Sequence, residues 1–361
     1  MWFSHWIKEL GVAKEHPITT MVVGLGRIGW RYHIRQAAES PHFEVAAAVD
    51  VVPNRRKQAQ ETYGCKVFAT IEEALEECPV ELAVICTRSI DHCDHVVKAH
   101  RAGSHVVVEK PAAMSLAEMD KMIAAAKKAG RILTVHQSLR FVKDFLFVRE
   151  IIDSKMLGNV FWIRRSGHDF YRRNDWQMEK RYGGGYYNNA GSHITDALVQ
   201  LAGSRIVDVW GDLKHTGVSA GDADDFVRVS IRTGKGRLLE FDGSFSYAFP
   251  QPAWSVAGTC GSLEIQSAEK GTARLKYFDP KKAPKRRLEG PLPKGRQYRI
   301  LDELPWVEKE LPLKPKKPAP DFYENLYRAI RKGAKPLVTA ESVREAIRVM
   351  DLVRRSSQWK Y

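Results

Sequence analysis

Apolar runs alternate with helical patterns along the first 138 residues of the chain. The runs are TTMVVG, FEVAAAVD, ELAVICT, HVVVEK and ILTVHQ, and the segments between them have the apolar spacing of helices. SLAEMDKMIAAAKKAG carries the helix signals most fully, with a serine cap, a glutamate three residues later and a closing glycine. Strands that alternate with helices form a parallel sheet with helices on both faces. We therefore predict a doubly wound α/β domain over residues 19–138.

Beyond residue 138 the pattern changes to strands joined by short turns. One helical segment, FVKDFLFVREIIDSKM, precedes the runs NVFWIRRSGH, IVDVWGDL, DFVRVSIRT, GRLLEFDGSFS, WSVAGT, GSLEIQS and TARLKYF, with a second helical region at 183–203. Such strands form a mostly antiparallel sheet, and helices on one face leave the other face open. We predict an α+β substrate domain over residues 139–320, and a homodimer or homotetramer that covers the open face.

Both ends of the chain also carry helical patterns. Residues 321–361 contain two helices, at 321–332 and 340–357, which we expect to pack back on the body. Residues 1–18 form a leader whose apolar residues recur at helical spacing, so it is either a helix packed on protein or an anchor on a membrane surface. These apolar residues are Trp2, Phe3, Trp6, Ile7 and Leu10.

The composition indicates a soluble globular protein, with 44% hydrophobic and 28% charged residues. No apolar run approaches the roughly 20 residues that a membrane span needs, and the first residues carry no export signal. The five cysteines are scattered and never form a C-x-x-C pair. That usage indicates reduced thiols, with neither a zinc site nor disulfides, so we predict no metal and a cytoplasmic location.

The net charge of +14 is concentrated toward the end of the chain. Residues 281–335 hold sixteen Lys or Arg against seven Asp or Glu. The densest stretch, DPKKAPKRRLEGPLPKGRQYR, is rich in Pro and Gly and lacks an apolar period, which predicts a long surface loop within 281–317. A solvated loop is favoured over a surface for an anionic partner, and nucleic acid ranks last among the possible partners.

A glycine motif follows the first predicted strand in MVVGLGRIGW. Gly24, Gly26 and Gly29 have the G-x-G-x-x-G spacing of a Rossmann dinucleotide site, with Arg27 and Ile28 inside the motif. Gly24 allows a tight turn, Gly26 lets the backbone approach a pyrophosphate, and Gly29 lets the next helix pack close to the strand.

An acidic residue strengthens this prediction. Asp50 ends the second strand about 20 residues after the last glycine, where a carboxylate accepts the ribose hydroxyls of NAD. The same carboxylate would repel the 2'-phosphate of NADP, so NAD is favoured as the cofactor. Arg55 and Arg56 lie close enough in sequence to keep NADP possible.

Four motifs in order point to a known family. GLGRIG, EKPAAMS, VHQSLRF and GGGYYNNAGSHITD resemble the glucose-fructose oxidoreductase and inositol dehydrogenase family (Gfo/Idh/MocA) as far as about residue 203. TRSIDHCDHVVKAHRAGSHVVVEKP is similar to the family pattern T-P-N-x-x-H…A-G-x-H-V…E-K-P, and departs from it at Arg88 and Ser89. The matching residues are Thr87, His92, Ala102, Gly103, His105, Glu109, Lys110 and Pro111.

The resemblance implies an NAD(P)-dependent oxidoreductase that acts on a ring hydroxyl or ketone of a sugar or cyclitol. It implies that Lys110 contacts both cofactor and substrate, and that His193 is the acid/base. It places Arg140 and Asp196 at the substrate, and Thr87, His92 and Glu109 at the cofactor. We also expect Asp175 and Trp176, in an aromatic and polar loop over the cleft, to bind substrate. Arg172 and Arg173 in that loop leave an anionic sugar open.

Asn189 departs from the family pattern, because members with a well-supported dehydrogenase mechanism carry aspartate four residues before the histidine. A helix is predicted to begin near Ala190, so Asn189 is either an N-cap or the catalytic partner of His193. His193 would lie in the first turn, where the helix dipole lowers the pKa of the imidazole. The missing carboxylate could come from Asp196, Asp169 or Asp175.

The leading hypothesis is a dehydrogenase or reductase of CH–OH groups. One alternative is an enzyme that retains NAD and uses it transiently for glycoside elimination or epimerisation. Another is a non-catalytic NAD(P)- and sugar-binding sensor, which the missing aspartate would suit. The presence of Lys110, His193 and Asp196 together favours an enzyme.

Overall fold

The computed structural model describes residues 16–285 and 303–358. Its first domain is a parallel sheet of six strands in the order β3-β2-β1-β4-β5-β6, as predicted. These strands are β1 (Ile18–Val23), β2 (Phe43–Val49), β3 (Lys66–Phe68), β4 (Leu82–Ile85), β5 (His105–Glu109) and β6 (Leu133–His136). The sequence did not indicate β3, which has only three residues and no fully buried side chain.

Helices cover both faces of this sheet. They are α1 (Ile34–Glu39), which continues a π-helical turn at Gly29–His33, α2 (Pro53–Tyr63), α3 (Ile71–Glu77), α4 (His92–Arg101) and α5 (Leu116–Ala129). The helix signals in the sequence have their expected geometry at α5, because Ser115 Oγ accepts the Glu118 N–H and Gly130 ends the helix at φ +62°.

The strand register brings the carboxyl ends of the sheet level with one another. Val23 at the end of β1 pairs with Val49 of β2 and Ile85 of β4, and Glu109 at the end of β5 pairs with His136 of β6. Residues that follow these strands therefore meet at one edge, where doubly wound sheets bind ligands.

The second domain is an eight-stranded sheet in the order β14-β13-β12-β11-β7-β10-β9-β8. It is mostly antiparallel, as predicted, but β7 and β10 pair in parallel. Its strands are β7 (Val160–His168), β8 (Ile206–Lys214), β9 (Phe226–Thr233), β10 (Leu238–Ser244), β11 (Trp254–Gly258), β12 (Gly261–Ile265), β13 (Thr272–Tyr277) and β14 (Val307–Pro312). Its helices are α6 (Lys143–Asp153) and α7 (Ser192–Gln200), and a π-helical turn at Tyr187–Gly191 runs directly into α7.

The edge strand β14 corrects the prediction of an unstructured basic loop over 281–317. Glu308 on β14 forms ion pairs with Arg274 and Lys276 on β13, so charges of both signs alternate along this edge. Such an edge lacks the apolar alternation by which strands are recognised in a sequence. The rest of the basic stretch, residues 286–302, lies outside the described residues, as does most of the leader, residues 1–15.

Two C-terminal helices, α8 (Phe322–Lys332) and α9 (Ala340–Ser356), pack on both domains. Tyr323 and Leu326 of α8 belong to the core that contains Ile18 and Ile34 of the first domain. On α9, Val353 packs so close to Gly211 of β8 that a Cβ on this glycine would lie 2.5 Å from Val353 Cγ1. The helices therefore hold the first domain against the second.

One face of the second sheet carries no helix of the described chain. Because Gly211 faces α9, its neighbour Trp210 faces the other way, and its side chain is 52% exposed beside Arg164 and Glu240. Assembly through this face remains a prediction. In the described residues, no helix combines the length and the apolar character needed to cross a membrane.

The glycine turn after β1 requires two residues without a side chain, Gly24 and Gly29. Gly24 adopts φ +94°, and a Cβ on Gly29 would lie 2.0 Å from the Gly24 carbonyl oxygen. Gly26 differs, because a Cβ there would meet nothing within 4 Å. The turn therefore needs Gly29 for packing, whereas Gly26 faces open space.

We predict stability effects of different size for two alanine variants. Gly29→Ala should lower the free energy of unfolding by at least about 2 kcal/mol, since the backbone must move to admit the methyl group. Gly26→Ala is the matched control and should change stability by less than about 1 kcal/mol. Urea unfolding measures both, and equal losses in the two variants would contradict this account of the turn.

Candidate active site

Two adjoining cavities lie at the carboxyl ends of the parallel strands. The first, of about 430 Å³, is bordered by residues that follow β4, β5 and β6 and by the π-helical turn before α7. The second, of about 600 Å³, is bordered by residues that follow β1 and β2. Five residues line both cavities: Gly26, Arg27, Cys86, Thr87 and Trp176. The two cavities are therefore one cleft that runs past the glycine turn.

Asp50 lines the second cavity, and its carboxylate is held there by neighbouring groups. Its carboxylate accepts the backbone N–H groups of Leu25 and Val52, each at 2.8 Å, and lies 3.3 Å from a guanidinium nitrogen of Arg55. The carboxylate is thus held at the end of β2 and faces the cleft beside the glycine turn. An elongated cleft with an open glycine backbone at its centre and an acid in its outer half fits a dinucleotide.

Lys110 follows β5 and reaches across the first cavity to the second domain. Its Nζ donates to Asn189 Oδ1 at 3.1 Å and to the Asn189 carbonyl oxygen at 3.2 Å. Burial lowers the pKa of Lys110 to about 8, with Glu109 opposing the shift and Arg27 and Arg173 adding to it. The acceptors of this ammonium are two neutral oxygens, and no carboxylate of the described residues forms an ion pair with it.

Glu109 precedes Lys110 at the end of β5, and hydrogen bonds hold its carboxylate in place. One carboxylate oxygen accepts from His33 Nε2 at 2.9 Å and from His136 Nδ1 at 2.7 Å, and His33 Nδ1 lies 2.8 Å from the Tyr323 hydroxyl. Burial raises the pKa of Glu109, but the hydrogen bonds from His136 and His33 outweigh it and hold the pKa well below its usual range. Glu109 is therefore a charged, fully engaged anchor between the first domain and α8.

His193 lies on α7 and lines the first cavity with Lys110. Its buried Nδ1 has no hydrogen-bond partner in the described part of the chain. Burial, and next the charge of Lys110, lower the pKa of the imidazole to about 3, against an opposing effect of Glu109. The predicted direction holds, but the cause is burial rather than a place in the first helical turn.

The N-cap interpretation of Asn189 is wrong. The helical segment begins with the π-helical turn at Tyr187, so Asn189 lies inside it, and its side-chain oxygen accepts from Lys110 instead of from backbone N–H groups. Asn189 and His193 are one turn apart on the same segment, and both line the first cavity.

Arg140 and Asp196 pair with each other. The Arg140 guanidinium forms two hydrogen bonds to the Asp196 carboxylate, at 2.6 and 2.7 Å, and two more to Ser342 of α9. Asp196 is fully buried, and neither residue lines the cleft. Each satisfies the other's charge, so this pair joins α7 to α9 and Asp196 is not available as a partner for His193. Substrate contact by either residue stays a prediction.

His92 also differs from its expected place at the cofactor. Its ring is buried, with Nδ1 2.9 Å from the Pro111 carbonyl oxygen and Nε2 3.2 Å from that of Thr87. It does not line the cleft, where the described residues include its neighbours Asp91 and His95. His92 therefore ties the loop after β4 to the loop that carries Lys110.

The loop between β7 and the π-helical turn folds over the cleft, as expected. Asp175 lines the first cavity and pairs with Arg173 at 2.8 Å, and Trp176 lines both cavities. Arg88, where the sequence departs from the family pattern, stacks 3.8 Å from the ring centroid of Tyr182 in this loop. Asp169 does not line the cleft and so does not supply a carboxylate to His193.

The remaining predicted residues lie where the cleft can use them. Gly26, Arg27, Ile28, Thr87 and Glu109 line the first cavity, and Gly24 and Asp50 line the second. Sequence reasoning missed several lining residues, which lie at or after the ends of β4 and β6, in the loop or in the π-helical turn: Cys86, Ser89, His136, Ser138, Gln177 and Asn188. Position at or after a strand end is the signal that could have found the first four.

Comparison with known proteins agrees with this geometry, which is that of a dinucleotide-binding oxidoreductase. Residues 18–137 match the model of an oxidoreductase family with an NAD-binding Rossmann fold, and residues 145–264 match the GFO/IDH/MocA C-terminal domain. The chain therefore belongs to the Gfo/Idh/MocA oxidoreductase family.

Relatives extend the likeness without fixing a substrate. The chain is 32% identical to an uncharacterized oxidoreductase of Schizosaccharomyces pombe over 52% of each sequence, so the match spans about half that relative's length. It is 28% identical to the myo-inositol 2-dehydrogenase of Thermotoga maritima over 62% of this chain and 67% of the relative. The solved structure of an NAD-binding protein from Listeria innocua superposes with a TM-score of 0.80 over 94% of each chain, at 25% identity.

The Arg140–Asp196 pair allows a test of its structural assignment. Arg140→Leu leaves a buried carboxylate without its partner and should cost about 3–5 kcal/mol of unfolding free energy. The double variant Arg140→Leu/Asp196→Leu removes both charges and should recover most of that loss. Denaturant unfolding measures the cycle; a single variant as stable as the wild type would contradict the assignment.

Proposed function

We propose that the protein transfers a hydride between a nicotinamide cofactor and a CH–OH or ketone carbon of a sugar, sugar derivative or cyclitol. The observation that carries this proposal is the meeting of Lys110 and His193 in one cavity, next to the glycine turn. They come from different domains, and each is partly buried. Two polar groups brought together from separate elements in a cleft are typical of a reaction site.

The bound dinucleotide would supply hydride transfer, and the protein supplies binding, orientation and proton handling. Gly24, Gly26 and Gly29 would hold the pyrophosphate, with Arg27 beside it. Asp50 supports NAD over NADP, because its fixed carboxylate can accept ribose hydroxyls and repels a 2'-phosphate. Arg55 weakens that preference, since it pairs with Asp50 and lies at the rim of the same cavity.

Proton transfer is assigned to Lys110. A catalytic acid or base works best with a pKa near the working pH, and the pKa of Lys110 is lowered to about 8. His193, with its pKa lowered to about 3, stays neutral and serves as a hydrogen-bond partner of the reacting oxygen. This division of roles replaces the expectation that His193 itself takes the proton.

The substrate class rests on the loop and on the relatives. Trp176 offers an apolar ring surface at the cleft, and Asp175 and Gln177 offer polar groups beside it, a combination that suits a polyhydroxylated ring. The myo-inositol 2-dehydrogenase relative supports a cyclic polyol, and the cavity accommodates a small molecule.

The pH dependence should differ between the two directions. Reduction needs the Lys110 ammonium to give a proton to the forming alkoxide, so kcat/KM for reduction should fall as pH rises through about 8. Oxidation needs the neutral amine to accept the hydroxyl proton, so its kcat/KM should rise over the same interval. Initial rates in both directions measure this, and Lys110→Met should abolish both limbs. Identical profiles in the two directions would contradict the assignment.

Replacing His193 separates chemistry from cofactor binding. His193→Ala removes one hydrogen bond to the reacting oxygen and should lower kcat by about 100-fold. The Kd for NADH, measured by fluorescence titration, should stay within a factor of about three, since only turnover depends on that hydrogen bond. An equal loss in kcat and in cofactor affinity would mean that His193 is misplaced.

A further inference from the structure

Among the described residues, the carboxylates that line the first cavity already have partners, whereas some of its cations do not. The described residues that line it include two carboxylates, Glu109 and Asp175. Glu109 is engaged by His33 and His136, and Asp175 by Arg173 and the Gln177 N–H. Arg173, suggested by the sequence for an anionic sugar, is therefore already occupied and does not recruit one.

Two cations of the described lining form no ion pair, Lys110 and Arg27, and the proposed function assigns Arg27 to the pyrophosphate, which leaves Lys110. Its Nζ meets only the side-chain and backbone oxygens of Asn189, and its side chain is partly buried. A buried charge is costly unless it is paired, and neutral oxygens compensate an ammonium less well than a carboxylate does. The oxidised nicotinamide would add a second positive charge to the same cavity.

Position 189 is where a carboxylate of the chain itself could neutralise Lys110. Asn189 Oδ1 lies 3.1 Å from Nζ, so an aspartate there would form a direct ion pair. With asparagine the chain leaves this negative charge to be supplied by something that enters the cavity.

Resting on the proposed function, we infer that Asn189 is a specificity-determining residue that selects a substrate with its own carboxylate beside the reacting carbon, a sugar acid or cyclitol acid. A carboxylate carries one negative charge, which matches the one positive charge of the Lys110 ammonium. With Arg27 assigned to the pyrophosphate, a phosphate dianion at Lys110 would leave one negative charge uncompensated near Glu109, so the carboxylate is the favoured anion.

The test compares acids with their neutral counterparts. Glucuronate is paired with glucose and galacturonate with galactose, and both the calorimetric Kd on the enzyme–NAD complex and kcat/KM for NAD reduction are measured at constant ionic strength. For the wild type, at least one acid should be favoured over its neutral partner by about tenfold or more in Kd. In Asn189→Asp the internal carboxylate should reduce or reverse that ratio by a similar factor.

A matched control adds the same charge elsewhere. Asn159→Asp places a carboxylate on an exposed residue before β7 and should leave the acid-to-neutral ratio unchanged. If no acid binds more tightly than its neutral partner, or if Asn189→Asp leaves the ratio unchanged, the inference is overturned. Turnover of neutral sugars alone would overturn the inference and leave the proposed function standing. If the wild type binds acids selectively but neither it nor Asn189→Asp reduces NAD, the proposed function is overturned and the preference for an acid stands.

Discussion

The contact between the Lys110 ammonium and Asn189 is the constraint on which the candidate site depends. It joins the end of β5 in the first domain to the π-helical turn of the second, and it is partly buried. An ammonium in such a place must keep its hydrogen-bond acceptors, so the two domains have to meet with β5 and the turn in register. His193, one helical turn beyond Asn189, is then brought to the same cavity by the geometry of the helix alone.

The C-terminal helices hold this contact in place without entering the cleft. Tyr323 of α8 contacts His33, which contacts Glu109, the residue before Lys110. Arg354 of α9 donates to Asn188, the residue before Asn189, at 2.6 Å. Each partner of the Lys110–Asn189 contact is thus held by a neighbour in sequence and by a helix from the end of the chain. The packing of α8 and α9 on both domains therefore bears directly on the geometry of the site.

The sequence predicted much of the fold because its signals were local. Strand and helix periods, the glycine turn and the acid after β2 depend on neighbouring residues, and Lys110 follows from its place at a strand end. Contacts at long range were not predicted. Arg140 and Asp196 look like substrate ligands by residue type, but they bind each other across 56 positions. His92 resembles a cofactor ligand, but its ring lies outside the cleft, with each nitrogen within 3.2 Å of a backbone carbonyl oxygen. The edge strand β14 was missed because its charged residues carry no apolar alternation.

Burial has opposite consequences for the two cationic groups of the site, although it acts on both in the same direction. It disfavours the charged form of each, so the pKa of Lys110 falls from 10.5 to about 8 and that of His193 from 6.5 to about 3. The ordinary pKa of lysine is far above neutrality, so lowering it brings it to a value at which the group exchanges protons readily. The ordinary pKa of histidine is already near neutrality, so lowering it takes the group out of the range useful for catalysis. A carboxylate at position 189 would favour the charged form of both groups and so raise both pKa values. Under the proposed function, asparagine at that position keeps the pKa of Lys110 in the range where lysine can transfer the proton.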